Sequence, residues 1–332
     1  MATVKRYAKD QSPFYGIKSK KKLAAIFGVS HLELAKISKN PNGYEKFTIT
    51  KLGKKPRDVQ KPKGILLQIH KRTQFLLARI KTPDYLHSAV RSRSYMTNAK
   101  AHVGKSHVIK IDIRSFFNNV KKKYVKRFFV EDMKCSADAA GMLADILTCD
   151  GHLPTGSSVS PILSYFSHKD MFDEIERLCL ERSCTMTCYV DDISISGSGA
   201  NGELLYLVRN VIHSRGLRTH KRKRFEANAS KIITGVVVKG ESISLPNRRH
   251  QMIVEGMRSY KSESDEKTKY ETLKCLVGRL FEAAQIDKKF EVVARKILPE
   301  YKDLSRNYSS KSNTKKHKFR KTNSKQNSSV IP

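Results

Sequence analysis

The sequence predicts an α+β protein, because short apolar strands alternate with amphipathic helices in its middle and its last third is helical. Strand patterns occur at HVIKIDI (107–113) and on both sides of Asp191 and Asp192, in CTMTCYV and ISISG. Beyond Pro246, apolar residues recur at helical spacing over residues 273–284. A chain of 332 residues, 39% of them hydrophobic, is long enough for about two domains with a substantial core.

The first quarter of the chain is predicted to contain helices and one hairpin. Residues 1–45 are predicted to be helical, with two short helices joined by a turn at Gly28. The same spacing occurs in the first half of a DNA-reading helix-turn-helix and in a helical hairpin packed on a larger domain, so both interpretations stay open. Residues 46–65 predict a basic hairpin, and a helix from Ile65 to Ile80 should end before Pro83.

The remaining elements follow from the same two periodicities. We expect mainly helix over residues 121–147, one helix from Ile162 to Leu180, and another from Gly202 to Ser214. The segment ITGVVV (233–238) is predicted to be a strand. Residues 305–332 are rich in Lys, Ser and Asn, which predicts a disordered tail.

The charge balance is strongly positive. The 65 Lys and Arg residues outnumber the 31 Asp and Glu residues, which gives a net charge of +34. Without Ser305–Pro332, which holds eight basic and no acidic residues, the balance is 57 against 31, or +26. An excess of this size in the folded part predicts a polyanionic partner, and nucleic acid is the commonest such partner.

Three features bear on the compartment. No stretch approaches the roughly 18 consecutive apolar residues of a membrane-spanning helix, and MATVKRYAKDQSPFYG lacks the apolar region of a secretory signal. The six cysteines form no Cys-x-x-Cys pair, and the spacing of Cys179, Cys184 and Cys188 does not fit a zinc site. We therefore expect a soluble cytoplasmic protein with reduced thiols in its core.

The hairpin YVDD (189–192) places two adjacent carboxylates at the tip of otherwise apolar strands. Each carboxylate makes the other harder to ionise, and a divalent cation with hard oxygen ligands, such as Mg²⁺, removes that cost. Asp112, inside an apolar β-branched run, is the expected third carboxylate from a neighbouring strand. Two metal ions held by Asp112 and Asp191 would suit phosphoryl transfer, whereas a capped turn beside a solvated acid is the purely structural alternative.

Three segments in their order along the chain resemble the palm of a reverse transcriptase: KIDIRSFFNNV (110–120), LPTGSSVSP (153–161) and YVDD. The resemblance implies a right-hand polymerase with fingers, a ferredoxin-like palm and a helical thumb. It makes Asp112, Asp191 and Asp192 the catalytic and metal-binding residues, with two Mg²⁺ ions as cofactor. It also divides the chain into a helical N-terminal segment (1–45), fingers (46–107), palm with interleaved fingers helices (108–240), helical thumb (241–304) and basic disordered tail (305–332).

The same resemblance identifies residues that would contact the incoming nucleotide. Phe117 lies where the family places a bulky steric gate against the ribose 2′-OH, and plain core packing is the alternative. Lys54 and Arg57 resemble the basic hairpin that grips the triphosphate, although a solvated charge run has the same composition. Gly156 belongs to the loop beside nucleotide and template, and Lys223 resembles a lysine near the incoming phosphates.

The chain departs from the family pattern at three positions. Thr155 replaces Gln and Ser158 replaces Pro in the loop before the palm helix, and His220 replaces Asn near Lys223. In the family this Gln contacts template or nucleotide, and in this chain Thr155 stands in its place.

Two further motifs resemble those of retron reverse transcriptases, an NAxxH motif and a VTG-like triplet, and they consist of Asn98, Ala99, His102, Ile233, Thr234 and Gly235. The resemblance assigns them to RNA binding. It implies an enzyme that recognises a structured noncoding RNA, primes from the 2′-OH of a guanosine in it, and copies part of it into branched multicopy single-stranded DNA. Such enzymes often act with an effector protein in defence against phage.

The partners implied are the cognate noncoding RNA, an RNA–DNA hybrid, deoxynucleoside triphosphates and an effector protein, with no membrane. Two alternatives stay open. One is another bacterial reverse transcriptase, such as a group II-like enzyme, from which a requirement for a dedicated RNA would distinguish this chain. The other is a non-catalytic nucleic-acid-binding protein built on a polymerase palm, and the presence of all three aspartates argues against it.

Overall fold

The structure is a computed structural model that describes residues 6–50, 53, 55–104, 107–227 and 229–326, with side chains described as far as residue 307. The chain divides into two compact units, one reaching to Ser242 and one beginning at Ile243. Among the described residues helices and strands are mixed, as the sequence predicts for an α+β fold. No helix in this part of the chain is long and apolar enough to cross a membrane.

The N-terminal segment of the first unit forms a helical hairpin. Helices α1 (Lys20–Phe27) and α2 (His31–Ser38) each begin at a serine whose side chain accepts a bond from the third backbone N–H. Gly28 ends α1 with a φ of 69°, a left-handed conformation that glycine adopts without strain. Both helices contact a later helix, α7 (Ala137–Leu147). The segment is therefore a helical hairpin packed on a larger domain, one of the two arrangements that the sequence allowed.

The predicted basic hairpin is confirmed. Strands β1 (Tyr44–Ile49) and β2 (Arg57–Pro62) pair antiparallel, with Tyr44 opposite Pro62 and Ile49 opposite Arg57. Helix α3 (Gly64–Leu77) follows and ends before Pro83, as expected.

The central sheet of the first unit carries the aspartates. Its strands are β3 (His107–Ile113), β4 (Cys184–Tyr189), β5 (Asp192–Gly197) and β6 (Thr219–Phe225), in the spatial order β4-β5-β3-β6. All neighbouring strands pair antiparallel. Along the chain, helices lie between β3 and β4 and again between β5 and β6. Together with the spatial order of the strands, this is the topology of a ferredoxin-like sheet, which confirms the predicted palm.

The two faces of this palm sheet differ sharply. On one face Ile109, Ile111 and Ile193 are fully buried, in one cluster with residues of the helices that follow β3 and β5. On the other face Lys110 and Asp112 are only partly buried. Because side chains alternate along a strand, a single acid in the run 110–113 falls on the polar face while its neighbours enter the core.

Several helices are interleaved with these strands: α4 (Tyr95–Lys100), α5 (Phe116–Asn119), α6 (Lys122–Arg127), a π-helical segment (Phe128–Asp132), α7, α8 (Ser160–Ser167), α9 (Lys169–Leu180) and α10 (Gly202–Ser214). The prediction of one helix from Ile162 to Leu180 is wrong. His168 leaves the helical conformation, with φ −131° and ψ 25°, and separates α8 from α9. Its buried ring packs against Phe116 and Tyr124, at centroid distances of 5.8 and 4.7 Å. These tertiary contacts stabilise the non-helical conformation of His168 between α8 and α9.

A small sheet follows the palm, with strands β7 (Lys231–Ile233), β8 (Val236–Lys239) and β9 (Ser242–Ser244). The prediction of one continuous strand through ITGVVV is wrong, because Thr234 and Gly235 form the turn between β7 and β8. Both have positive φ, 44° and 79°, as a two-residue hairpin turn requires.

After β9, the described residues of the second unit form three helices: α11 (Asn247–Ser262), α12 (Glu266–Ala284) and α13 (Lys289–Gln326). Leu273, Leu276 and Leu280 of α12 are fully buried in a core of this unit's own. We expected a disordered tail at residues 305–332. As far as Gln326 the structure instead continues α13, and residues 327–332 lie outside the described residues. Residues 305–326 contain neither Gly nor Pro, so their composition does not interrupt a helix already started at Lys289.

Candidate active site

The three predicted aspartates lie together at one end of the palm sheet. Asp112 of β3 is directly opposite Asp192 of β5, and Asp191 lies in the turn that precedes β5. The backbone N–H of Ile113 donates to the carbonyl of Asp191 at 2.9 Å, which ties that turn to β3. The fold therefore brings together residues that are about eighty positions apart in the sequence.

Burial and the neighbouring carboxylates both act on the pKa values of Asp191 and Asp112. Burial raises the pKa of Asp191 to about 6, the charges of Asp112 and Asp192 add to the rise, and the charge of Arg57 opposes it. Burial, followed by the charge of Asp192, also raises the pKa of Asp112. Negative charge at this site is thus unfavourable in the absence of a cation.

By their chemistry, the three aspartates fit a divalent cation, since every donor is a carboxylate oxygen and each side chain repels the others. Within the described ranges, however, no three Asp, Glu, His or Cys side chains are gathered closely enough to form a ready metal site. Asp192 Oδ1 lies 3.7 Å from the Lys110 ammonium, and Asp112 Oδ1 lies 4.0 Å from His220 Nδ1. A cation held by Asp192 would therefore compete with the Lys110 ammonium.

The turn that carries Asp191 is strained. Val190 has a φ of 61°, a left-handed conformation that is costly for a β-branched residue. Its backbone N–H donates to Ser88 Oγ at 3.0 Å, and Ser88 is only 2% exposed. A strained backbone persists only when its surroundings determine it, and Ser88 supplies one such restraint.

Ser88 belongs to a strap, residues 85–88, that runs beside β4. The N–H of Cys188 donates to the carbonyl of Tyr85 at 2.7 Å, and the N–H of His87 donates to the carbonyl of Cys188 at 2.9 Å. The strap thus continues the palm sheet beside the turn. Sequence reasoning missed it, since one short bridge leaves no periodicity in the sequence.

Arg93 closes the loop that contains the strap. Its guanidinium donates to the carbonyls of Pro83 at 2.6 Å and Leu86 at 2.8 Å, and to Asp84 Oδ1 at 2.6 Å. A charged fork of donors satisfies several loop acceptors at once, which fixes the loop without regular secondary structure.

The fingers hairpin lies against the loop LPTGSSVSP. Gly156 donates its N–H to the carbonyl of Gln60 at 3.0 Å, and a Cβ at Gly156 would lie 2.8 Å from that same oxygen. Thr155 Oγ1 donates to the carbonyl of Asp58 at 2.9 Å. The residue that departs from the family pattern therefore joins the palm loop to β2, which positions the hairpin over the loop.

Of the predicted triphosphate residues, Arg57 lies at the start of β2, close enough to act on the pKa of Asp191. Lys54 lies outside the described residues. Lys223 of β6 is exposed and pairs in register with Lys110, so it shares the face of the aspartates.

Phe117 follows β3 at the start of a short helix. Ser115, with a φ of 49°, turns the chain there, and Phe117 is half-buried, with its ring stacked 6.3 Å from that of Phe116. Part of this ring is accessible, whereas Phe116 is buried. The core-packing alternative therefore describes Phe116 better than Phe117.

The two retron-like motifs form one buried junction. Asn98, Ala99 and His102 are fully buried, and His102 places its ring nitrogens 2.6 Å from Ser196 Oγ and 2.7 Å from Thr187 Oγ1. His102 thereby ties the segment after α4 to the two strands of the YVDD hairpin.

The triplet joins the same junction, because Thr234 Oγ1 donates to the carbonyl of Tyr95 in α4 at 2.7 Å. Ile233 is fully buried, and Gly235 completes the turn. Asn98, Ala99 and His102 are buried and offer no surface to RNA in this structure, and His102 supports the palm hairpin from inside the protein.

Comparison with known proteins agrees with this site. Residues 53–261, more than half of the chain, match the family described as "Reverse transcriptase (RNA-dependent DNA polymerase)". The Retron Se72 reverse transcriptase of Salmonella heidelberg (strain 579083-10) is 28% identical over 247 residues, which cover 69% of this chain and 64% of that protein. The Retron Ec48 reverse transcriptase of Escherichia coli is 26% identical over 272 residues, covering 74% of this chain and 65% of that protein.

Two solved telomerase structures are also similar to this chain. The telomerase of Candida albicans in complex with a TWJ fragment of telomeric RNA has a TM-score of 0.45 at 10% identity, covering 81% of this chain and 62% of that one. The apo telomerase of Candida tropicalis, truncated from its C-terminal domain, has a TM-score of 0.44 at 12% identity, covering 66% and 61%.

A ferredoxin-like palm with three clustered aspartates and a basic hairpin over its loop defines a template-directed polymerase fold. The family match makes the class specific, and the chain belongs to the reverse transcriptase family. Its curated relatives are retron reverse transcriptases, which confirms the type that the NAxxH and ITG motifs predicted. The matches span slightly less than two thirds of the length of those two relatives.

The raised pKa of Asp191 predicts how stability depends on pH. Between about pH 4 and the folded pKa of about 6, folded Asp191 keeps a proton that the unfolded chain has released. The metal-free protein should therefore lose stability as pH rises through that range. Asp191→Asn removes the ionisation, and at neutral pH it should unfold at a higher temperature than wild type in calorimetry without divalent cations.

The same melts test the metal assignment. Mg²⁺ or Mn²⁺ should raise the unfolding temperature of wild type and of Asp138→Asn, whose carboxylate is exposed and remote from the palm sheet. The cations should leave Asp191→Asn nearly unchanged. An Asp191→Asn protein that is less stable than wild type at neutral pH without cations would contradict the crowding of charge.

Ser88→Ala tests whether the strap holds the catalytic turn. The variant leaves the Val190 N–H without its acceptor, which should destabilise the fold by about 1–3 kcal/mol and slow nucleotide addition in a primer-extension assay, with affinity for primer–template unchanged. Ser164→Ala is the matched control, because that buried hydroxyl donates to the Pro161 carbonyl of its own helix. Equal rates for both variants would show that the strap does not position the turn.

Proposed function

We propose that this chain is an RNA-directed DNA polymerase that copies part of a cognate structured noncoding RNA into branched multicopy single-stranded DNA. The observation that carries the proposal is the cluster of Asp112, Asp191 and Asp192 on the polar face of the palm sheet, with Arg57 of the fingers hairpin nearby. A binding protein would have no use for three crowded carboxylates in an otherwise basic molecule.

The divalent cations that the aspartates would hold, most simply two Mg²⁺ ions, supply charge neutralisation of the attacking oxygen and of the leaving pyrophosphate. Arg57 and Lys54 would bind the triphosphate, with Lys223 and Gly156 beside the phosphates and the base. Phe117 would exclude a ribose 2′-OH. In the first step a guanosine 2′-OH of the RNA attacks the α-phosphate of a deoxynucleotide, forms a 2′–5′ phosphodiester, and releases pyrophosphate.

Among the proposed partners, RNA is the one that the net positive charge of the chain supports most strongly. The +26 that remains without residues 305–332 suits an enzyme that holds an RNA–DNA duplex by its phosphates. The retron reverse transcriptases to which the chain is similar support a dedicated noncoding RNA as template. We further propose that the enzyme acts in the cytoplasm with an effector protein in defence against phage.

The proposal is tested by the nucleic acid that copurifies with the protein when it is expressed with its native flanking DNA. Samples treated separately with RNase, DNase and a debranching enzyme are compared on a denaturing gel. We expect a short single-stranded DNA whose mobility changes after RNase or debranching. Asp191→Asn should copurify with RNA alone, because it loses a metal ligand and keeps every phosphate contact, whereas the control Asp138→Asn should behave as wild type.

Two outcomes would overturn the proposal. Wild-type protein that yields only RNA, and that also fails to extend a primer with Mg²⁺ and deoxynucleotides, would be a binding protein. A DNA product formed without any dedicated RNA would indicate another kind of bacterial reverse transcriptase.

Phe117 gives a separate prediction on sugar selectivity. Phe117→Ala should incorporate ribonucleotides more readily relative to deoxynucleotides, because the accessible part of the ring no longer meets the 2′-OH. Single-nucleotide extension with dATP and ATP measures the ratio, and Phe75→Ala, which removes an exposed ring of the fingers helix α3, is the control. An unchanged ratio would make Phe117 a packing residue.

A further inference from the structure

Strand β6 is the edge of the palm sheet, and its basic run presents lysine and arginine to opposite faces. Lys223 pairs with Lys110, whose ammonium approaches Asp192, so Lys223 faces the aspartates. Arg222 pairs with the fully buried Ile111 and therefore points to the opposite, helix-covered face. The back of the palm thus has basic residues of its own, separate from those near the aspartates.

Three arginines gather on this back face around His213 of α10. The N–H of Thr219, where β6 begins, donates to His213 Nε2 at 3.4 Å, and α10 contacts β6. Burial, together with the charges of Arg218, Arg209 and Arg222, holds the pKa of His213 below its usual value. The guanidinium groups that act on the His213 imidazole thus come from α10, from β6 and from the loop between them. We call Arg209, Arg218 and Arg222 the back-face arginines.

The back-face arginines are not neutralised by the protein. In the part of the chain that the structure describes, no carboxylate lies within ion-pair distance of any of them, whereas nearby Arg215 pairs with Asp170 and Glu174. Like charges held together without counter-charges repel one another. An anion that binds all three would remove this repulsion, and the planar fork of arginine suits phosphate oxygens.

An aromatic ring lies beside these arginines. Tyr206 of α10 is 55% exposed, and the Arg209 guanidinium lies 5.2 Å from its ring centroid. Guanidinium groups next to an accessible ring are what single-stranded RNA requires, since its phosphates bind the cations and its unstacked bases stack on the ring. A free phosphate or nucleotide would need only the cations.

We propose that the back-face arginines and Tyr206 bind a segment of RNA that is not being copied. The aspartates lie on the other face of the same sheet, and β6, which carries Arg222, is an edge strand, so one RNA molecule could reach both sites by passing around it. The inference rests on the proposed function for the source of the RNA. It extends that function by giving the enzyme a second RNA contact, away from the catalytic residues.

The salt dependence of RNA affinity tests the proposal. The probe is a labelled RNA hairpin with a single-stranded arm, bound to the full chain. Replacing Arg209, Arg218 and Arg222 by Gln should weaken binding about tenfold at moderate salt and reduce the slope of log K against log[salt] by about 2. The matched control replaces the exposed Lys21, Lys22 and Lys36 of the helical hairpin by Gln, which removes the same charge. If both triple variants lose the same affinity, the surface is not an RNA site.

Tyr206 provides a second readout that does not depend on charge. Tyr206→Ala should weaken binding and remove an ultraviolet crosslink between the RNA and α10, whereas Tyr206→Phe should bind as wild type because stacking needs only the ring. Wild-type affinity for Tyr206→Ala, or crosslinks confined to the catalytic face, would overturn the proposal.

Primer extension on a short poly(rA)–oligo(dT) substrate separates this inference from the proposed function. The arginine variant should extend that substrate at the wild-type rate, since its aspartates and their surroundings are intact. Wild-type protein that fails to extend this substrate, but whose RNA affinity still depends on the back-face arginines, would contradict the polymerase assignment. The same result would support the RNA site.

Discussion

The mutual repulsion of three carboxylates at one end of the palm sheet is the constraint on which the rest of the site depends. Burial and the neighbouring charges raise the pKa of Asp191 to about 6, so the fold holds these groups where they are electrostatically unfavourable. Sites of this kind need rigid support, and the palm sheet supplies it through the pairing of Asp112 with Asp192. A bound cation would relieve this unfavourable charge, which is the physical basis of the proposed metal site.

Hydrogen bonds from residues outside the palm sheet also hold the segments that carry the aspartates. Ser88 restrains the strained turn at Val190, and Arg93 fixes the loop that carries Ser88. Farther along the YVDD hairpin, His102 joins both of its strands. The retron-like motifs thus contribute packing and hydrogen bonds that hold this hairpin.

The sequence predicted the palm strands, the basic hairpin and the positions of the three aspartates, because each depends on a local pattern. That pattern is either the alternation of apolar and polar residues along a strand or the placement of charges over a few residues. It was wrong where tertiary contacts decide. The break at His168 depends on the rings of Phe116 and Tyr124, which are distant in sequence. The strap at residues 85–88 has one short bridge and no period, so no local pattern could predict it.

The sequence by itself determined the class of protein, because KIDIRSFFNNV, LPTGSSVSP and YVDD together resemble a reverse transcriptase palm, and the family match to residues 53–261 agrees. Only the tertiary structure decided how the chain distributes its charge. Alternation along β6 sends lysines toward the aspartates and arginines to the back of the palm, where α10 adds Arg209 and Tyr206. The reason is physical: a linear sequence gives the number of charges, and strand pairing decides which face each one occupies.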